Sequence, residues 1–267
     1  DSLRIQHLKN MTVLLHKSLE KNDYKRASRA LGLVLTTPIH GSTIDIRNAG
    51  LWNIGAEILL QNNLNQRQEL TEVGFGSLKQ YHERLALQYP WHRSWTTVIN
   101  AQDFKLNMYN LWVYVVVAHS KTLQHADDGD HLGDRQVALE SEWLAREYEL
   151  AEAEHIAQVM DTCMSTLPFV DDRELVRLRG MVALWVGDLI EDVARLQDEV
   201  KGSRERSVHE MFDPYITGAA EDLQNTSRES LTGNLMQLKA QDARATAQKM
   251  FSKLSIREAS TSEGSAE

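Results

Sequence analysis

Between positions 119 and 134 the chain gathers His119, His125, Asp127, Asp128, Asp130, His131 and Asp134. Imidazole and carboxylate donors together suit zinc, iron or manganese. His119 and His125 could bracket a helix end, with Asp127 to Asp134 folding back over it. That arrangement gives an all-α metal-dependent enzyme using His119, His125 and Asp127. The spacing matches no metal motif, however, and lacks paired ligands at i and i+4 on a helix, which His-Glu-x-x-His provides. A solvated acidic linker accounts for the same residues more simply, so no cofactor is expected.

Other chemistry is sparser still. Cys163 is the one cysteine and sits on an apolar stretch between Met160 and Leu167. It has no histidine partner nearby in sequence and reads as a buried, inert thiol. There is no glycine-rich phosphate loop after a strand, no Gly-x-Ser-x-Gly and no His-Glu-x-x-His. Glu140, Glu142, Glu147, Glu149, Glu152 and Glu154 spread carboxylates around every angle of one helix. General acid/base chemistry needs two in a shared pocket, so these read as a solvated face. On this reading the chain is not an enzyme.

The elements that carry these residues are helical. The chain has 267 residues, 42% hydrophobic and 25% charged, with 14 glycines and 4 prolines. That is a globular composition, long enough for one large or two small domains. Scarce glycine and proline favour long helices over many short strands. The longest apolar run, Leu111 to Ala118, is far short of the roughly 20 residues a membrane helix needs. A single cysteine excludes an internal disulfide and fits a reducing compartment. The chain begins at Asp1 without a signal-peptide pattern and reads as a trimmed piece.

Charge is unevenly spread. Residues 1–60 carry 8 basic and 5 acidic side chains, residues 61–125 carry 6 and 4, residues 126–200 carry 6 and 19, and residues 201–267 carry 9 and 10. The first half can lie near a polyanion; the strongly acidic stretch cannot do so unaided.

Periodicity predicts helices over 3–19 and 23–35, with Asp23 as N-cap of the second. Further helices are expected over 45–62, 77–89, 103–125, 136–166, from Asp171–Asp172 through Trp185, and over 189–200 and 229–254. Gly74-Phe-Gly76 reads as a turn. Pro90 ends one helix and starts another carrying Trp91, Trp95 and Val98. Gly187 bends or ends its helix, and the stretch from Ser260 to Glu267 reads as a disordered tail. The organisation expected is helical hairpin repeats over 1–125, an acidic linker or loop over 126–135, an acidic helical part of the same array over 136–202, and peripheral helices with a disordered tail over 203–267. The fold class is all-α, of stacked helical hairpins.

The first hairpin carries a degenerate tetratricopeptide pattern. Met11, Leu14, Leu15 and Ser18 sit at offsets 0, 3, 4 and 7, followed by Asn22, Tyr24, Ala27, Leu31, Val34 and Pro38. The small Ala27 lets two helices approach. Ser18 stands where the pattern has an aromatic, Leu15 where it has a small residue, and Pro38 falls one place early. An ordinary helical hairpin fits these residues equally well, and no clean second copy follows. Lys25, Arg26 and Arg29 lie opposite Ala27, Ala30 and Leu31. With Lys17 and Lys21 they form a basic face, a candidate DNA contact whose simpler reading is a solvated helix surface. Trp52, Trp112, Trp143 and Trp185 read as core clamps. Trp91 and Trp95 are the candidate anchors for a protein partner.

One stretch resembles a known family. The segments are His7-Leu-Lys-Asn-Met-Thr-Val-Leu-Leu-His16, Asp23-Tyr-Lys-Arg-Ala-Ser-Arg-Ala-Leu31, Asp45-Ile-Arg47 and Leu51-Trp-Asn-Ile-Gly-Ala-Glu-Ile-Leu-Leu60. They resemble the tetratricopeptide-bearing subunit of the fungal RNA polymerase I core factor, with a weaker likeness over Leu175 to Leu189. The resemblance implies a non-enzymatic scaffold in the nucleus and nucleolus. It would sit between two larger core-factor subunits, one related to transcription factor IIB, in a factor that binds the ribosomal DNA promoter and recruits RNA polymerase I. It implies no membrane partner. A free-standing helical-repeat adaptor that captures peptides is the alternative.

Overall fold

The computed structural model describes residues 2–38, 41–63, 72–94, 98–125, 135–211 and 222–263. Among them the protein is all-α, with no strand: α1 (Ser2–Glu20), α2 (Tyr24–Thr36), α3 (Leu51–Asn62), α4 (Glu72–Gln88), α5 (Ala101–His125), α6 (Arg135–Met164), α7 (Arg173–Met211) and α8 (Asp222–Glu263). Consecutive helices pack as hairpins: α1 on α2, α2 on α3, α3 on α4, α6 on α7 and α7 on α8. The chain forms two compact units, Asp1–Met108 and Tyr109–Glu267. Among the described residues no helix is long and apolar enough to cross a membrane.

The first hairpin forms for local reasons. Asn22 takes a left-handed φ of 55°, which asparagine tolerates better than most residues. This lets the Asn22 amide reach the Leu19 carbonyl (3.0 Å) and the Asp23 amide reach the Ser18 carbonyl (2.9 Å), the paired bonds of a Schellman C-cap. One residue on, the Asp23 carboxylate accepts the Arg26 amide at 3.0 Å and caps α2, as expected from the sequence. Such a cap contributes about 1 kcal/mol. The face so presented buries Leu15, Ala27, Ala30, Leu31 and Val34, joined by Leu51 and Ile58 of α3.

Five boundaries differ from the periodicity. The third helix begins at Leu51, not at 45. Asp45 accepts its own chain's Arg47 amide at 2.9 Å, and Ala49 and Gly50 have positive φ. A side chain that bonds local backbone competes with the helix in this way. Gly74 to Gly76 lie inside α4 rather than in a turn. Helical glycine costs about 1 kcal/mol, which burial of Phe75 and Leu78 offsets. Pro90 to Arg93 start no helix. The next helix waits for Asn100, whose carboxamide oxygen accepts the Gln102 amide (2.9 Å) while Asp103 accepts the Asn100 amide (2.9 Å). That is a reciprocal capping box. Finally, α7 runs unbroken through Gly187, and α8 extends to Glu263.

Gly187 serves packing, not bending. A Cβ there would lie 3.4 Å from Arg244 Cγ and 3.5 Å from the Ala240 carbonyl, and one on Gly180 would lie 3.0 Å from the Phe251 ring. The two glycines are seven residues apart and so share one stripe of α7. Ala240, Ala247 and Leu254 bury the matching stripe of α8. Leu235 and Leu238, which hydrophobicity alone assigns to the packed face, are exposed.

Candidate partner and nucleic-acid interfaces

The five predicted DNA-contact cations fall on one hairpin. Lys17 lies in the last turn of α1, Lys21 in the connecting turn, and Lys25, Arg26 and Arg29 on the first two turns of α2. All five are exposed. None forms an ion pair among the described residues. The apolar face opposite is buried to 0% exposure at Ala27 and 1% at Ala30. The hairpin therefore presents cations outward on a rigid base, as phosphate contacts require.

A second feature of the first unit binds the Asp45-Ile-Arg47 segment in place. Asp45 holds the Arg47 guanidinium through Nε (2.9 Å) and Nη2 (2.6 Å). Arg47 Nη1 donates to the Ile99 carbonyl at 3.3 Å, and its guanidinium carbon lies 4.4 Å above the Tyr89 ring. The Arg47 bond holds the Asp45 carboxyl below the usual carboxylate range, against desolvation that raises it. Both side chains are partly solvated, so the pair itself contributes modestly. Its main effect is geometric: it ties the turn before α3 to the segment before α5. A cleft of about 210 Å³ opens beside it, lined by Arg47, Tyr89, Pro90, His92, Val98 and Asn100. Of the two predicted tryptophan anchors, Trp91 is half-buried in this segment; Trp95 lies outside the described residues.

The other tryptophans are largely structural. Trp52 stacks edge-on to Phe104 at 5.3 Å and His82 at 6.4 Å. Its carbonyl accepts the Tyr81 hydroxyl at 2.9 Å, and burial pushes the Tyr81 phenol up to about 12. Trp112 is buried edge-on to His155. Trp143 is half-buried, and its indole nitrogen is buried without a hydrogen-bond partner among the described residues. Trp185 donates to Glu149.

Glu149 departs from the sequence reading. It is 3% exposed, not part of a solvated face. Its Oε2 accepts Ser120 Oγ at 2.7 Å and Arg146 Nη1 at 2.8 Å, and its Oε1 accepts Trp185 Nε1 at 3.1 Å. One carboxylate thus ties α5, α6 and α7. Arg179, 7% exposed, is held by Asp161 through bonds of 2.8 and 2.9 Å. His82, fully buried, donates from Nδ1 to the Leu78 carbonyl and accepts the Asn107 amide at Nε2, both at 2.9 Å. The carbonyl can only accept, so Nδ1 carries the proton. Desolvation lowers the His82 pKa.

The metal reading gains nothing from the described residues. His119 stacks edge-on to Tyr148, and His125 is the last residue of α5. Asp127, Asp128, Asp130, His131 and Asp134 lie outside the described residues. Among the described residues no three His, Cys, Asp or Glu side chains converge to hold a metal ion. Cys163 is half-buried near the end of α6.

Serial helical hairpins with an exposed cationic face and polar clasps between helices define an all-α helical-hairpin protein. The family model described as "RNA polymerase I-specific transcription initiation factor Rrn11" matches residues 1–191, and the chain belongs to that family. The match reaches well beyond the residues 7–60 on which the resemblance is plainest. The family is one of transcription initiation factors, not of enzymes, and its setting is the nucleus. The chain is also similar to the RNA polymerase I-specific transcription initiation factor rrn11 of Schizosaccharomyces pombe. The two are 36% identical over 87 residues, covering 33% of this chain and 35% of that relative. The aligned part thus spans about a third of the relative's length. No solved structure matches.

Proposed function

We propose that this chain is a scaffolding subunit of a multi-subunit RNA polymerase I initiation factor that binds the ribosomal DNA promoter and recruits the polymerase. Family membership over residues 1–191 carries this reading. Its partners are two larger subunits, one related to transcription factor IIB, together with the polymerase, and it works in the nucleolus. The hairpins supply packed faces, and the clasps at Glu149 and Arg47 fix helices against each other, so that surface residues keep their geometry when partners bind. The cations at Lys17, Lys21, Lys25, Arg26 and Arg29 meet promoter phosphate in the assembled factor. Such contacts are sequence-tolerant and salt-sensitive.

Two measurements test this. Purification of the tagged protein at native level, with mass spectrometry, should return two larger subunits and polymerase I; a chain purifying alone refutes the assembly. In the assembled factor, Lys25→Glu, Arg26→Glu and Arg29→Glu together should weaken promoter binding. The salt slope should fall by about 0.9 for each phosphate that is no longer neutralised. Unchanged slope and affinity with an intact factor would remove the DNA role from this face.

A further inference from the structure

Within the second unit, α6 and α8 both pack on α7 and leave a groove of about 370 Å³. Its floor is small and apolar: Ala157, Ala183 and Val186 are buried, with Ala243 beside them from α8. Small side chains from three helices meeting at one place leave space that larger ones would fill. The rim is polar. Glu154 and Asp161 of α6 line it, with Gln158 between them, Arg179 of α7 bonded to Asp161, and Thr246 across on α8. Both acids are exposed. Glu147 precedes Glu154 by seven residues and is exposed too, so an acidic row runs down one face of α6. This helix lies in the stretch, residues 126–200, that carries 19 acids against 6 bases.

We infer that this groove seats a basic peptide segment of a partner subunit, with an aliphatic side chain on the alanine floor and Lys or Arg against Glu154 and, further along the same row, Glu147. The inference rests on the assembly reading above and deepens it. The acidic rim chooses the occupant. Phosphate would be repelled there, whereas a cationic segment gains steering and register from the row of carboxylates. Asp161 is engaged by Arg179, which shows that a carboxylate at this rim binds guanidinium and leaves Glu154 as the open one. The volume admits a few side chains rather than a whole helix, which fits anchoring by alternate residues of a segment.

The test uses the purified assembly. Gln158→p-benzoylphenylalanine places a photo-crosslinker at the rim, and Asp198→p-benzoylphenylalanine, on the exposed side of α7, serves as control. The groove position should give an adduct that maps to a Lys/Arg-containing segment of a partner subunit. Glu154→Lys in the same chain should lower that adduct by about fivefold or more through charge reversal, and Asp198→Lys should leave it unchanged. Glu154 is exposed and makes no bond on which the fold depends, so its variant keeps the assembly intact. An intact assembly with no groove adduct would overturn the docking alone. So would an adduct to DNA, to a second copy, or to an acidic segment. Failure of the partner subunits to co-purify would overturn both readings.

Discussion

Glu149 offers the sharpest test of what holds the second unit together. Three donors converge on it: Ser120 Oγ, Arg146 Nη1 and Trp185 Nε1, at 2.7, 2.8 and 3.1 Å. An ionised carboxylate accepts from all three; a carboxamide has one oxygen and must place an N–H against a donor at its other end. In Glu149→Gln, Ser120 can turn to its second acceptor, the Ala145 carbonyl at 3.3 Å, so its loss is small. With the carboxamide oxygen kept on Trp185, Arg146 is the donor left facing an N–H. Its side chain is 32% exposed, so water replaces part of the bond. A charge-assisted bond of about 1.5–3 kcal/mol, discounted for that exposure, leaves an expected loss of about 1.5 kcal/mol. Glu149→Ala strips the acceptor from the half-buried Trp185 indole as well and leaves a hole. It should cost about 3 kcal/mol. Urea titration of the full chain, followed by circular dichroism and tryptophan fluorescence, reads both, with transitions fitted separately because there are two units. A Gln variant within about 0.5 kcal/mol of wild type, or as damaging as Ala, would refute the three-donor account.

Gly55→Ala should destabilise the first unit by about 1–3 kcal/mol, despite the better helix propensity of alanine. The new Cβ would overlap the Tyr81 hydroxyl and lie 3.1 Å from Tyr81 Cζ, forcing the ring off the Trp52 carbonyl; Tyr81→Phe in the same chain should recover part of the loss in a denaturant titration. His82 should titrate below about 6.5 in a nitrogen-detected NMR experiment, with the proton on Nδ1 at neutral pH. Since the unfolded chain takes up a second proton first, His82 contributes stability that is complete above about 6.5 and is lost as pH falls from there through its lowered folded pKa. A midpoint at or above 6.5 would contradict the burial argument.

The α1–α2 hairpin was legible because its determinants are local. Asn22 and Asp23 close one helix and open the next with bonds to residues within five positions, and the 3.6-residue spacing of Ala27, Ala30, Leu31 and Val34 picks the buried face. Asp172 works the same way, accepting the Leu175 amide at 2.8 Å to open α7. Glu149 was misread because its partners come from residues 29 and 36 positions away. A signal was nonetheless present: Glu149 shares its stripe with Ala145, Ala153, Ile156 and Met160, all at 0% exposure. A carboxylate on the apolar stripe of an otherwise acidic helix is the one to suspect of burial. For α8, ranking faces by hydrophobicity alone picks the wrong one. Gly180 and Gly187 let the helices come close, and close approach selects alanine over leucine. Leu235 and Leu238 were left outside for that reason.

Charge divides the chain in a way that constrains its partners. Residues 1–125 carry 14 bases and 9 acids, while residues 126–200 carry 6 bases and 19 acids. The buried members of the acidic stretch, such as Glu149, are neutralised by their own donors. Glu147 and Glu154 are exposed and form no ion pair among the described residues. Uncompensated surface charge of one sign repels polyanions and favours cationic partners over the range of a Debye length, about 8 Å at physiological salt. On the two proposals above, a single subunit meets nucleic acid with α1–α2 and a basic polypeptide with α6. The two modes of binding differ in salt response. Each neutralised phosphate releases condensed counterions and steepens the dependence on salt, whereas a peptide on one or two carboxylates is only screened. Rising salt should therefore release promoter DNA from the assembled factor before it releases the partner subunits, and the opposite order would place the charges on other faces.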